Sequence, residues 1–346
     1  MSRFLRPGFL CFIIFLNGCS NSPEEFQHNI LAFGTLITVT LYDVDEALAQ
    51  QAFKSLEDDF TYFHTAWSPW EQGSLRRINH LIPTEKEFSL GPSVLPLIQQ
   101  SLPLAEATNN LYNPAIGKLI NLWQMHNHDH PGIKPPDVKL IHSLVASNPR
   151  LSDLYIQGIR IRSQNPDVQL NFGAFAKGYA IDLSIQHLKT MGIHHAILNT
   201  GGDLKAIGSK GNRNWRIAIR HPRKDDIIAT IETRGEESIF TSGDYERYYM
   251  HKGKRYHHII DPRTGYPADQ SQSVTVIHHQ SGLADAAATA LFIAGPDHWY
   301  EIAKKLNLKQ VMLIDNQGKI HVTPDMQKRL ILKNPQETTL FVSAPL

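Results

Sequence analysis

The 346-residue chain is predicted to fold as a single compact α+β unit. Three observations carry the prediction. Short runs rich in β-branched residues alternate with polar positions, amphipathic or alanine-rich helical stretches stand between them, and glycine-and-aspartate turns sit at strand ends. No internal repeat or long low-complexity linker divides the chain. Apolar residues make up 42% and charged residues 19%, enough to bury a sizeable core. The net charge is +1, with no arginine-rich arm or basic helix, so there is no electrostatic case for nucleic acid.

In chain order, Arg3 and Arg6 precede an apolar run from Phe9 to Leu16 that is too short to span a bilayer, and Leu16-Asn17-Gly18-Cys19 closes it. This resembles a bacterial lipoprotein signal. The resemblance implies a signal peptide over residues 1–18, acylation of Cys19 and a lipidated tether over 19–29, with the functional domain over 30–346. Cys11 would leave with the signal, so the mature chain would keep no free thiol for disulfides or cysteine catalysis. Ser20 after the cysteine favours export to the outer membrane of a Gram-negative host, lipid-anchored and periplasm-facing.

The alternation from Phe33 to Tyr42 predicts a strand, and Asp45 is placed to cap a helix with Ala52, Phe53, Leu56 and Phe60 on its apolar face. An aromatic loop, Trp67-Ser68-Pro69-Trp70, follows. Helices are predicted over Leu95–Leu104, up to Trp123 after the turn Tyr112-Asn113-Pro114, and over Val138–Ser147. Between the last two, His126, His128 and His130 alternate beside Pro131, and a solvated loop is a simpler reading than zinc for histidines without ordered ligand spacing. Strands are predicted near Ala196–Asn199, Trp215–Ile219, Ile227–Thr233, Ser238–Phe240 and Val274–Ile277, with hairpins spanning Tyr248–Tyr256 and Val311–Thr323. Leu283–Ala294 reads as an alanine-rich helix with Ser281 as its N-cap, followed by a helix from about Asp297 to Leu306.

The stretch Asn171 to Asp182, Asn-Phe-Gly-Ala-Phe-Ala-Lys-Gly-Tyr-Ala-Ile-Asp, reads as a tight glycine turn between a strand, Val168 to Leu170, and a helix. A helix start exposes unpaired N–H groups and a positive dipole end; Gly173 and Gly178 would admit phosphates and Lys177 would add a full charge. On the alanine-rich helix Asp285 and Thr289 are four residues apart and share a face, offering hard oxygen ligands that suit Mg²⁺ or Ca²⁺. With Lys177 and Arg263 as phosphate partners, these features describe a site for a phosphorylated ligand.

Six ordered blocks then make the resemblance specific: Phe33-Gly34-Thr35; Asn171 to Asp182; Leu198 to Asp203; Thr241 to Tyr245; His258 to Gly265; and Ala284 to Ala290. Together they resemble the FAD:protein FMN transferase (ApbE) family over nearly the whole mature chain. The resemblance implies a T-fold-like architecture of mixed β-sheets packed with helices. It also implies Mg²⁺-dependent transfer of FMN from FAD to a threonine of an acceptor protein, such as a membrane respiratory or redox subunit, with release of AMP. By the same resemblance, the Ala174 carbonyl, Asp285 and Thr289 would hold the metal and Lys177 would meet the FAD phosphates. Phe33, Tyr112, Asn113, Pro114, Asn171 and Ile259 would contact the flavin nucleotide, Trp70 would stack on it with Trp67 as the competing choice, and His258 would serve the transfer step as base. Asp261 and Asp244 are the alternative bases. Phe33, Asn113 and Asn171 depart from the family's usual methionine, aspartate and aspartate. The competing functions are a metal-dependent FAD pyrophosphatase and a non-catalytic flavin-binding lipoprotein.

Overall fold

The structure, a computed structural model, describes residues 24–125 and 134–346. Cys11, Cys19, the signal segment and the histidines at 126, 128 and 130 lie outside the described residues. Nine strands form the main sheet and lie side by side in chain order: β1 Glu25–Ala32, β2 Thr35–Tyr42, β3 Ala196–Thr200, β4 Asp203–Ile207, β5 Glu237–Gly243, β6 Ser271–His278, β7 Gln310–Asp315, β8 Ile320–Val322 and β9 Leu340–Val342. All neighbours are antiparallel except the β8–β9 pair. The expected α+β unit is what the chain adopts.

The period of two decides which side chains meet which layer. On β7, Val311 and Leu313 face a core shared with the helices, while Met312 and Ile314 face a second core on the opposite side. β5 splits in the same way, with Phe240 towards the helices and Ile239 away from them. The second core is closed by a small sheet of Arg216–Arg220, Ile227–Glu232 and Ile331–Leu332, through Ile217, Ile219 and Ile231. Because both of its faces are covered, β7 reads as an apolar run from Val311 to Ile314.

Three helices cover the other face: α1 Glu46–Trp67, α2 Ala176–Thr190 and α3 Ser281–Lys305. Asp45 caps α1 as expected, accepting from the Leu48 N–H at 2.8 Å. Phe53, Leu56 and Phe60 are buried beneath it, each contributing about 1.5–3 kcal/mol of transfer free energy. A third cluster joins the helices Gly117–Trp123 and Val138–Ser147 to the hairpin Tyr248–His251/Lys254–His257, through Trp123, Ile141 and Tyr249.

Several expectations are corrected. Glu25–Asn29 is not tether but part of β1, paired with β2 across a Phe33-Gly34 turn whose φ values are 54° and 70°. Trp67 belongs to α1 rather than to a loop, and Trp70 alone of the two lies beyond the helix. Val168–Leu170 is not a strand; only Gln169 makes a single bridge, to Ile116. The alanine-rich helix does not start from a Ser281 cap: Ser281 is its first residue and Gln280 its cap position, without a side-chain bond. The capping is supplied from α2, where Asp182 accepts from the Ser281 N–H (2.8 Å), the Gly282 N–H (3.1 Å) and the Ser281 hydroxyl (2.8 Å). The expected division of this stretch into two helices holds: α3 is broken at Gly295 (φ 70°), ahead of Pro296, and a second helical segment runs on to Lys305.

Candidate functional site

The centre of the site is the contact between the starts of α2 and α3. Gly178 is buried there, not open to phosphate: a Cβ on it would stand 2.3 Å from the Ser281 carbonyl oxygen. The close approach lets Asp285, one turn into α3, reach α2. In an unbroken helix the Gly178 N–H would donate to the Ala174 carbonyl. Here it donates to Asp285 Oδ2 at 3.4 Å, leaving that carbonyl without its helical donor. Thr289, one turn further along α3, meets the Ser242 hydroxyl of β5 at 3.2 Å. Lys205, buried on β4, ties Asp182 (2.8 Å) to Glu236 (2.8 Å) and so fixes the cap beneath the site.

Lys177 pairs with Asp203 at 2.5 Å, and Asp203 also accepts from the Thr241 N–H at 2.8 Å. Burial works against the Lys177 ammonium, but Asp203 and Asp285 outweigh it and hold its pKa above the ordinary lysine value. Burial pushes the Asp285 carboxyl up, to about 7, with Asp203 adding to the rise and Lys177 opposing it. A carboxylate so short of hydrogen-bond partners, beside a carbonyl relieved of its donor and a hydroxyl, is a set of hard oxygens that fits Mg²⁺. No cluster of three or more His, Cys, Asp or Glu able to hold a metal occurs among the described residues. A cation here would draw its remaining ligands from phosphate and water, as Mg²⁺ does.

His258 stands opposite, its N–H donating to the Arg247 carbonyl at 3.1 Å and its Nδ1 buried with no partner among the described residues. Burial, and then the Arg247 guanidinium, hold its pKa well below the ordinary histidine range. Burial also lowers His257, whose Nε2 lies 2.6 Å from the Ala268 carbonyl. Unfolded histidines take up protons near pH 6.5, and these two resist doing so in the folded chain. Their stabilising contribution is therefore full above about pH 6.5 and is lost as pH falls below it. Melting temperature is expected to drop between pH 7.5 and 5.5, and His258→Gln to make that drop shallower; an unaltered slope would show that the ring is not held neutral.

The expected flavin contacts divide. Tyr112 is buried, its hydroxyl 2.8 Å from Ser101 Oγ, and burial raises its pKa. Asn113 spends its amide on the Ala115 N–H and the Pro149 carbonyl, so it shapes the turn rather than reaching outward. The Pro114 carbonyl accepts from the Asn171 N–H at 2.8 Å, docking that turn on the central motif. Asn171 Oδ1 accepts from the exposed Gly173 N–H at 2.9 Å. Ile259 is packed in the core, with both backbone groups engaged. Phe33 sits on the β1–β2 turn against His64 and Trp67. Trp67 is 5% exposed, stacked on Phe63 at 4.5 Å and bonded to the Ser93 carbonyl, which removes it as the competing stacker. Trp70 is 39% exposed, its Nε1 bonded to Asn121 Oδ1 at 3.1 Å.

Arg263, expected as a phosphate partner, is instead gripped by Asp261 through Nε (3.0 Å) and Nη2 (2.7 Å). That pairing also occupies Asp261 as an alternative base, and Asp244 is held by Arg223 at 2.7 and 2.6 Å and by Arg255 at 3.2 Å. The sequence assigns no role of its own to Asp182, Asp203, Lys205, Arg247 or Asn79. Asn79 exchanges two hydrogen bonds with Leu170 (2.8 and 2.7 Å), pinning the approach to the central motif. The one available signal was the Asp that closes each glycine turn; the partners are distant in the chain.

Comparison with known proteins adds a family. The model of the ApbE family matches residues 33–313. Over 306 residues the chain is 39% identical to an FAD:protein FMN transferase of Rhodobacter capsulatus, the match covering 88% of this chain and 58% of that protein. The chain thus spans under two thirds of that relative's length. It is 31% identical over 275 residues to an FAD:protein FMN transferase of Klebsiella pneumoniae (strain 342), covering 78% of this chain and 83% of the relative. The crystal structure of the ApbE protein from Thermotoga maritima superposes with a TM-score of 0.78 at 26% identity, covering 86% of this chain and 96% of that one.

Proposed function

Because the chain belongs to the ApbE family, we propose that it moves FMN from FAD onto a threonine hydroxyl of an acceptor protein, releasing AMP. The observation that carries this reading is the convergence of Lys177, paired with Asp203, and the buried Asp285 with a neutral His258. In the reaction the threonine oxygen forms a bond to the FMN phosphorus, and the bond from that phosphorus to the bridging oxygen breaks. AMP departs with the electron pair and the threonine proton passes to His258.

The Ala174 carbonyl, Asp285 and Thr289 would hold Mg²⁺, which when bound neutralises charge on the two linked phosphates. Lys177 adds a cation on the same side, and Asp203 keeps its ammonium aimed by bonding it from β4. The buried Nδ1 of His258, without a partner among the described residues, would take the proton once the acceptor hydroxyl reaches the ring. The buried Tyr112 and the docked Pro114 carbonyl keep the flavin-contacting turn rigid against Asn171. Trp70, half-exposed at the edge and held through Nε1 by Asn121, would stack on the isoalloxazine.

His258→Ala tests the step separately from the pocket. FAD binding, followed by flavin fluorescence, is expected to stay within about threefold, while transfer falls by about 10²–10⁴. Equal loss of binding and transfer would make His258 a pocket residue, and unchanged transfer would remove it as base.

The acceptor in this reading is a respiratory or redox subunit facing the periplasm, and an acylated Cys19 keeps the enzyme within its reach. The support is the short apolar run ending at Leu16-Asn17-Gly18-Cys19. Cys19→Ser is expected to shift the protein from the membrane fraction to the soluble one; an unlabelled wild type after palmitate feeding would contradict the anchor.

A further inference from the structure

We propose that Arg247 is a further catalytic residue, its guanidinium holding two non-bridging oxygens of the phosphoryl group that is transferred. The inference rests on the flavin-transfer reading above. β5 brings three successive contributions to the site: Thr241, whose N–H holds Asp203 at 2.8 Å; Ser242, 3.2 Å from Thr289; and the turn after Gly243 that delivers Arg247. That turn is anchored at both ends, by the Asp244 N–H on the Gln272 carbonyl (3.1 Å) and by the His258 N–H on the Arg247 carbonyl (3.1 Å). The Arg247 backbone is thus fixed beside His258, the residue proposed for the proton.

Its charge is also without an ion pair among the described residues. Nearby, Lys177 is taken by Asp203, Arg223 and Arg255 by Asp244, and Arg263 by Asp261. Among the described residues the Arg247 guanidinium makes no ion pair or hydrogen bond of this kind, although Glu246 and Asp285 lie within electrostatic reach. Arg247 is exposed to solvent, so a ligand can reach it. The same guanidinium acts electrostatically on both His258 and Lys177. A phosphoryl group moving from a leaving AMP near Lys177 to an acceptor near His258 must pass between them. An arginine fork matches two of its oxygens at once, as a lysine ammonium does not.

Comparing FMN with riboflavin isolates that phosphate and needs neither metal nor acceptor. Binding of both to the full chain is read by quenching of flavin fluorescence. Wild type is expected to favour FMN over riboflavin by about tenfold. Arg247→Ala should abolish that preference with riboflavin binding unchanged, and Arg247→Lys should restore only part of it. A wild-type preference in Arg247→Ala overturns the assignment, as does equal loss of both ligands in the lysine variant with a native melting curve. If Arg247→Ala does not fold, the lysine variant decides, and a full preference there counts against the fork. A wild type that binds neither FMN nor FAD overturns the flavin reading itself, and the assignment with it.

Discussion

Asp285→Asn is expected to lose metal-dependent flavin transfer by at least about 100-fold while its metal-free melting temperature holds or rises by about 2–4 °C. The two halves of this expectation have one cause. Asp285 is only 6% exposed, and among the described residues its carboxylate has a single hydrogen bond, the 3.4 Å contact with the Gly178 N–H. A carboxylate buried with so little compensation is costly to the fold and useful only to a cation. An amide keeps the shape and removes the charge. Transfer by the variant at low Mg²⁺ would put the metal elsewhere, and a collapse in melting temperature would mark Asp285 as structural.

Gly178→Ala should have the largest effect on stability. The added methyl would stand 2.3 Å from the Ser281 carbonyl oxygen, 2.5 Å from its carbon and 2.8 Å from the Gly282 nitrogen. All three are backbone atoms, so no rotamer relieves the clash and α2 must move away from α3. A cost of about 2–4 kcal/mol follows, or a fall of roughly 3–6 °C in melting temperature. The movement would also strip the Asp182 cap from Ser281 and Gly282 and carry Asp285 away from α2, so transfer should fall with stability. Gly173→Ala is the control: the position is exposed, and its Cβ would meet only Asn171 Oδ1, at 3.0 Å. Calorimetry that found both variants melting like wild type would refute this packing argument.

What could be read from the chain alone follows the range of each interaction. The Asp45 cap, the β7–β8 hairpin and the Val138–Ser147 helix each depend on residues within a few positions of one another, and local pattern reveals them. The Leu154–Gln157 and Arg160–Ser163 hairpin, four residues a strand, escaped because so short a segment carries little periodicity. The short, partly exposed β9 escaped too, since its pairing with β8 is parallel and set by tertiary contact.

The site shows the same division. Lys177, Asp285, Thr289 and His258 lie in recognisable blocks, whereas the groups that hold them come from far along the chain. Asp203 reaches Lys177 across 26 positions, and Asp182 caps α3 across about 100. Gly178, a glycine at a helix start, reads in the sequence as room for phosphate; in the structure it is room for another helix. Arg263 looked free for the same reason, its partner Asp261 being only two residues away but hidden in the turn that brings them together.

The central claim is tested most directly by incubating the full chain with FAD, Mg²⁺ and a threonine-bearing redox acceptor, then weighing the acceptor and separating the released nucleotides. The account predicts an acceptor heavier by FMN less one water, still fluorescent after denaturation, with one AMP formed for each adduct. Free FMN and AMP beside an unmodified acceptor would contradict it in favour of hydrolysis, and intact FAD would leave only a flavin-binding protein.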